Sequence, residues 1–138
     1  MPIGMKSINI WAVIVSGVAS TSLGALWFMV VFRDPYIKGL ARTQEQLSQG
    51  PNGPTAITMQ LLANILMAYI LAWLMTQTDY TSVGQALKLA TLVWIGFVAC
   101  VVGPTYAFQA FPFYFFLINA GYTLVALLIS GAVLGAWK

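Results

Sequence analysis

Histidine is absent from the chain, cysteine occurs once, and the only acids are Asp34, Glu45 and Asp79. Each shortage removes a class of chemistry. Metal sites of the His and Cys kind, Ser/His/Asp triads and Cys/His dyads are excluded by inventory, and haem would need an unusual ligand such as methionine. Cys100 has no partner for an intrachain disulfide, and its place in an apolar run makes packing its expected role. The three acids fall between the long apolar runs, so the buried acid or histidine that proton-coupled transport normally uses is missing at membrane depth. We expect no enzyme, no cofactor and no metal.

Charge is scarce altogether. Lys, Arg, Asp and Glu make up 7% of the 138 residues and hydrophobic residues 60%, whereas a soluble domain has about 25% charged residues. So few charges cannot cover a soluble surface, and most of this surface must face lipid. The net charge of +3 is scattered over Lys6, Arg33, Lys38, Arg42, Lys88 and Lys138. That spread suits contact with membrane lipid headgroups and not nucleic acid.

What the chain does have is long apolar runs. A hydrocarbon core of about 30 Å needs about 20 helical residues, and residues 8–32, 55–76, 87–108 and 113–137 qualify. Open sheet edges cannot sit in lipid. The expected fold is therefore all-α: a single polytopic membrane domain over residues 1–138 with four transmembrane helices. Short links favour an up-down-up-down bundle with both termini on the same side. Lys6 followed by INIWAVIV and GVAS imitates a signal peptide, but apolar character continues from Ser22 to Phe32, so a retained span is expected. Basic residues are evenly split between the two ends of the bundle. The cluster Arg33, Lys38 and Arg42 favours a cytoplasmic first connection.

That connection, RDPYIKGLARTQEQLSQGPNGP, has its own punctuation. Asp34 can cap, Pro35 suits the first helical position, and Gly50 with Pro51 makes a stop. Ile37, Leu40, Ala41 and Leu47 recur at helical spacing, predicting an interfacial amphipathic helix over about residues 35–48; a loosely ordered loop is the alternative. Ser82 with Gln85 forms a capping box before the third helix. Pro112 opens the fourth, and Pro104 should disturb the third near Ala99 and Cys100.

Uncharged polar groups at depth remain. At about 1.5 Å per residue, Gln60 and Asn64 lie about 6 and 12 Å inside the second helix, and Asn119 lies about 9 Å inside the fourth from the same side. Tyr122 follows Asn119 on the same face. These four form either a half-depth cavity for a small polar molecule, lipid headgroup or water file, or a set of interhelical hydrogen bonds that fixes packing. On the packing reading Asn119 bonds across to the second helix through Asn64 or Gln60. Small residues point to close helix contact: Gly17 with Thr21 and Ser20 with Gly24 in the first helix, and Gly131 with Gly135 in the fourth. First-to-fourth packing within the chain and dimerisation are both open to them. Aromatic bands at Trp27, Phe28, Phe32, Tyr36 and 111–116, and at Trp11, Trp73, Tyr80 and Trp137, read as interfacial anchors. A pigment, quinone or sterol groove along residues 111–116 is the alternative.

GALWFMVVFRDPY, LVWIGFV and FLINAGYTLVALLISGAVLGAW together resemble the small four-helix bacterial and fungal membrane family catalogued as domain of unknown function 1761. Phe28 stands where that family usually has Tyr. The resemblance implies the four-helix fold, and it brings no activity or site residue; the expected location is a membrane, the bacterial inner membrane. Two functions follow from the residues. One is a non-enzymatic protein that acts by packing in the bilayer, as a homo-oligomer or an accessory subunit of a larger membrane complex. The other is a carrier or channel for a small neutral solute or lipid through Gln60, Asn64, Asn119 and Tyr122.

Overall fold

The structure, a computed structural model, describes residues 8–137. Lys6 and Lys138, part of the charge balance above, lie outside the described residues. Among those described the chain is helical, with no strand. Helix α1 (Ile10–Leu26) starts at Asn9, whose side chain accepts from the Ala12 N–H, and runs into a π-helical segment, Trp27–Val31. Two short helices follow, α2 (Arg33–Leu40) and α3 (Gln44–Ser48). The second span is α4 (Gly53–Thr78). The third consists of α5 (Val83–Val93), a π-helical segment at Trp94–Ala99 and α6 (Cys100–Phe108). The fourth is α7 (Phe113–Ala136), preceded by Pro112. Four helical runs, Ile10–Val31, Gly53–Thr78, Val83–Phe108 and Phe113–Ala136, are long and apolar enough to cross a membrane.

Local chemistry explains where these elements begin and end. Ser82 accepts from the Gln85 N–H while the Gln85 side chain accepts from the Ser82 N–H, so the third span starts at Val83, four residues before its apolar run. The same reciprocal box at Thr43 and Gln46 starts α3 and was not anticipated. The single amphipathic helix expected over residues 35–48 is in fact two pieces. Ala41 adopts a left-handed φ of 53°, which terminates α2. Asp34 lies inside the first turn of α2 and does not cap it, because the helix begins one residue earlier, at Arg33, with Phe32 as an unassisted cap. There its charge suits the positive end of the helix dipole. In the third span Pro104 has no N–H for the Cys100 carbonyl, and its ring crowds that turn. The π-helical segment ends at Ala99, immediately before this turn.

Helix α7 is the most buried of the four spans and the third span the least. Helix α1 packs chiefly on α4 and α7, and α5 packs on α7. Although α4 and α5 are joined by residues 79–82 alone, they scarcely touch, so neighbours in sequence are not all neighbours in space. Contacts between α1 and α7 run in opposite directions along the two helices: Asn9 meets Trp137, Ser20 meets Ala126 and Trp27 meets Ile118.

The two halves of the bundle differ in chemistry. Toward the 79–82 connection the core is dry, with Ala12 and Val13 of α1 against Ala68, Leu71 and Ala72 of α4, Ala86 and Ala90 of α5, and Leu127 of α7. Small residues here let backbones approach. A Cβ on Gly135 would sit 2.7 Å from the Val83 Cα, one on Gly131 3.1 Å from the Ala86 carbonyl oxygen, and one on Gly17 would overlap the Ile65 side chain. The glycine pair of α7 therefore seats α5 and not α1, while Gly17 seats α4; both contacts are within the chain. The opposite half, toward α2, is aromatic and polar.

Candidate functional site

In that second half, burial orients each aromatic ring. Phe115 is 3% exposed and is a core residue, not an interfacial anchor. It stacks on Tyr36, Tyr106 and Phe111, with centroids 5.4, 5.5 and 4.7 Å away. Gly39 of α2 lies against the same ring, which holds α2 over the start of α7. Phe28 meets Tyr36 and Tyr122 edge-on. Burial in this cluster raises the Tyr36 phenol above its ordinary value of 10.0. Mutual stacking fills the space beside Phe111 and Phe115, so the groove considered for residues 111–116 does not form around those rings.

Two indoles clamp α7 from opposite neighbours. Trp27 Nε1 donates to the Ile118 carbonyl at 2.9 Å, and Trp94 Nε1 donates to the Ala120 carbonyl at 2.8 Å. Each tryptophan is the first residue of a π-helical segment. The two carbonyls flank Asn119, so the clamp fixes α7 at the level of that side chain.

Asn64 of α4 is 2% exposed and fully engaged. Its Nδ2 donates to Thr21 Oγ1 and to the Tyr122 hydroxyl, both at 3.0 Å, and its Oδ1 accepts from Gln60 Nε2 at 3.1 Å. Thr21 in turn donates to the Gly17 carbonyl and Tyr122 to the Ser20 carbonyl, each at 2.8 Å. Every step has a donor and an acceptor, and the chain ends on backbone oxygens of α1. Gly24 makes this possible: a Cβ there would lie 3.0 Å from the Tyr122 hydroxyl.

Three of the four residues expected to cluster are thus bonded, and Asn119 is not among them. Its Nδ2 donates at 2.8 Å to the Phe115 carbonyl, one turn back in its own helix, and it makes no bond to Gln60 or Asn64. The expected cross-helix bond to Asn119 is made instead by Tyr122, three residues on. Thr21, read as a packing residue, is a bonding partner. Ser20, Thr21, Trp27 and Trp94 were missed as members of this site. Their polar groups sit in helix positions where spacing alone does not tell a cross-helix bond from one to the preceding turn.

Asn119 instead faces a cavity of about 300 Å³. Gln60, Ala63, Asn64 and Met67 of α4 form one wall, and Val102 and Tyr106 of α6 the other. Asn119, Ala120, Tyr122 and Thr123 of α7 make the floor, with Phe28 beside them. Gln60 Oε1, Asn119 Oδ1 and the Tyr106 hydroxyl have no hydrogen-bond partner among the described residues, although each residue lines this space. The polar network is therefore complete behind the cavity wall and incomplete in front of it. No group of three or more acids or cysteines able to hold a metal occurs among the described residues.

Residues 11–135 match the family described as "Protein of unknown function (DUF1761)". The chain belongs to this family. The match covers the second and third apolar runs, all but the ends of the first and fourth, and every lining residue of the cavity. No curated protein and no solved structure matches the chain. The family description assigns no activity, and the site's own geometry carries the functional argument.

Proposed function

We propose that this protein binds a small uncharged, hydrogen-bonding molecule in the half-depth cavity between α4 and α6, and that it works as a binding or carrier protein without catalysis. The observation behind this reading is the set of open valences that Gln60, Asn119 and Tyr106 bring to one cavity, next to Asn64, whose amide is bonded to Gln60, Thr21 and Tyr122. A network built only to fix packing would close on itself. Amides and phenols both donate and accept, so the matching ligand group does the same, as a hydroxyl or an amide would. No carboxylate, imidazole or amine lines the space, and a charged ligand would have nothing to neutralise it at this depth. For the same reason no general base is at hand for chemistry.

Native mass spectrometry of protein extracted with its surrounding lipids tests this. We expect a defined small mass that is retained by the natural chain and lost on Asn119→Leu with the fold intact. A chain carrying nothing, or one whose bound mass ignores that substitution, overturns the reading.

A second reading, a homo-oligomer or accessory subunit, draws on the third span. It is the least buried of the four, with Ile95, Phe97 and Val101 at least half exposed. Release of a second membrane protein at a fixed ratio in the same experiment would favour it. Both termini are expected on one side of the membrane, and the Asn9 side chain reaching the Trp137 carbonyl supports this. A bacterial inner membrane with the first connection in the cytoplasm is the corresponding proposal for location.

A further inference from the structure

The cavity's walls say how a ligand reaches it. Its two sides come from the second and third spans, which scarcely touch each other, and its floor is α7. A space walled by two separated helices and floored by a third opens on the side away from the floor. For spans that cross a membrane, that side is hydrocarbon. Gln60 and Ala63 on the α4 wall are exposed, while Asn64 and Ala120 at the back are buried. Exposed Ala63 and half-buried Met67 and Val102 make one side of the opening apolar, Gln60 stands exposed at the mouth beside them, and half-buried Asn119 lies on the floor.

From this we infer that the ligand is an amphiphile already dissolved in the bilayer, a long-chain molecule with an uncharged hydroxyl head that slips sideways between α4 and α6. The inference rests on the binding role proposed above. The head exchanges hydrogen bonds with Gln60 and Asn119, and the chain leaves past Met67 and Val102 into lipid. An alkane offers those amides nothing. A carboxylate of equal length brings a charge that the site does not pair. A hydroxyl both donates and accepts, so one group serves the carbonyl oxygens and the free amide hydrogens together.

Photolabelling of the full chain in phosphatidylcholine vesicles tests it, using dodecanol with a diazirine beside the hydroxyl. We expect saturable adducts in the segments holding Met67 and Tyr106, displaced by plain dodecanol but not by dodecane or dodecanoate. Gln60→Leu should weaken saturation about threefold to tenfold, the value of one hydrogen bond. Ala63→Phe, at an exposed position, should abolish labelling by filling the opening, with helicity unchanged in both variants and thermal unfolding unchanged in Ala63→Phe; Gln60→Leu also loses its bond to Asn64 and should unfold slightly earlier. Saturable labelling by a diazirine butanol but not by the dodecanol would overturn sideways access and leave the proposed binding function standing. Displacement by dodecane or dodecanoate would overturn the hydroxyl requirement. Saturable labelling by neither alcohol would remove both the inference and the function beneath it.

Discussion

Two asparagines at similar depth have opposite roles. Asn64 makes two bonds to other helices, so Asn64→Leu should cost about 1–2 kcal/mol, at the roughly 0.6–1.7 kcal/mol found for such bonds in membranes. The loss is limited because Tyr122 and Thr21 keep their own acceptors. Asn119 bonds only to its own helix, so Asn119→Leu should leave thermal unfolding in detergent nearly unchanged while emptying the cavity. Equal destabilisation by the two changes would contradict this assignment. Glycines divide in the same way. Gly135→Ala must push against the α5 backbone and should cost about 1–3 kcal/mol, as overpacking does, whereas Gly96→Ala, with nothing within 4 Å of its Cβ, should stabilise by about 0.5–1 kcal/mol, the ordinary gain of alanine over glycine inside a helix. The existence of the polar cluster was readable from helical rise and residue type. Which amide bonds and which faces the cavity was not, because a helix rotation of one residue exchanges Asn119 for its neighbours without altering the hydropathy pattern.

Among the elements, the connections hold the least comfortable backbone. Ala41 and Ala110 adopt left-handed φ values of 53° and 60°, a region that costs a residue with a Cβ about 1–2 kcal/mol. Ala110→Gly should therefore raise the unfolding midpoint, by about 0.5–1 kcal/mol once glycine's added unfolded-state entropy is subtracted. An unchanged or lower midpoint would show that the turn carries no such strain. The four long helices were legible because apolar runs of that length have few other uses, and the Ser82 box was legible because its spacing is specific. The π-helical segments at Trp27–Val31 and Trp94–Ala99 were not. A widened turn leaves composition unaltered and shows itself only through the neighbour that it accommodates, here the indoles that reach α7. Trp94→Phe removes one such bond and keeps the ring. It should shift amide exchange at Ala120 to Thr123 toward faster rates, leaving the dry half of the bundle as protected as before.

At the scale of the molecule, one half is a dry seam of small residues and the other is aromatic, polar and open between the second and third spans. Fusions of a reporter to either end should give the same sidedness, since the start of α1 lies beside the end of α7. Opposite readings from the two fusions would exclude an even number of crossings. Sequence alone made the membrane and the helix count plain, because so few charges leave no other solvent for the surface. The order in space was hidden. Short links imply that successive helices pack, and α4 with α5 departs from that because α7 presents the glycines that α5 needs.

The directional hydrogen-bond chain through Asn64 has a bioenergetic consequence. A proton wire needs members that take up a proton on one side and give one up on the other, as water, carboxylates and imidazoles do. Here the central member is an amide whose hydrogens both point toward Thr21 and Tyr122, and those hydroxyls end on helix carbonyls. The hydrogen-bond chain through Asn64 therefore offers no relay along which a proton could hop: it is a strut between helices and not a wire.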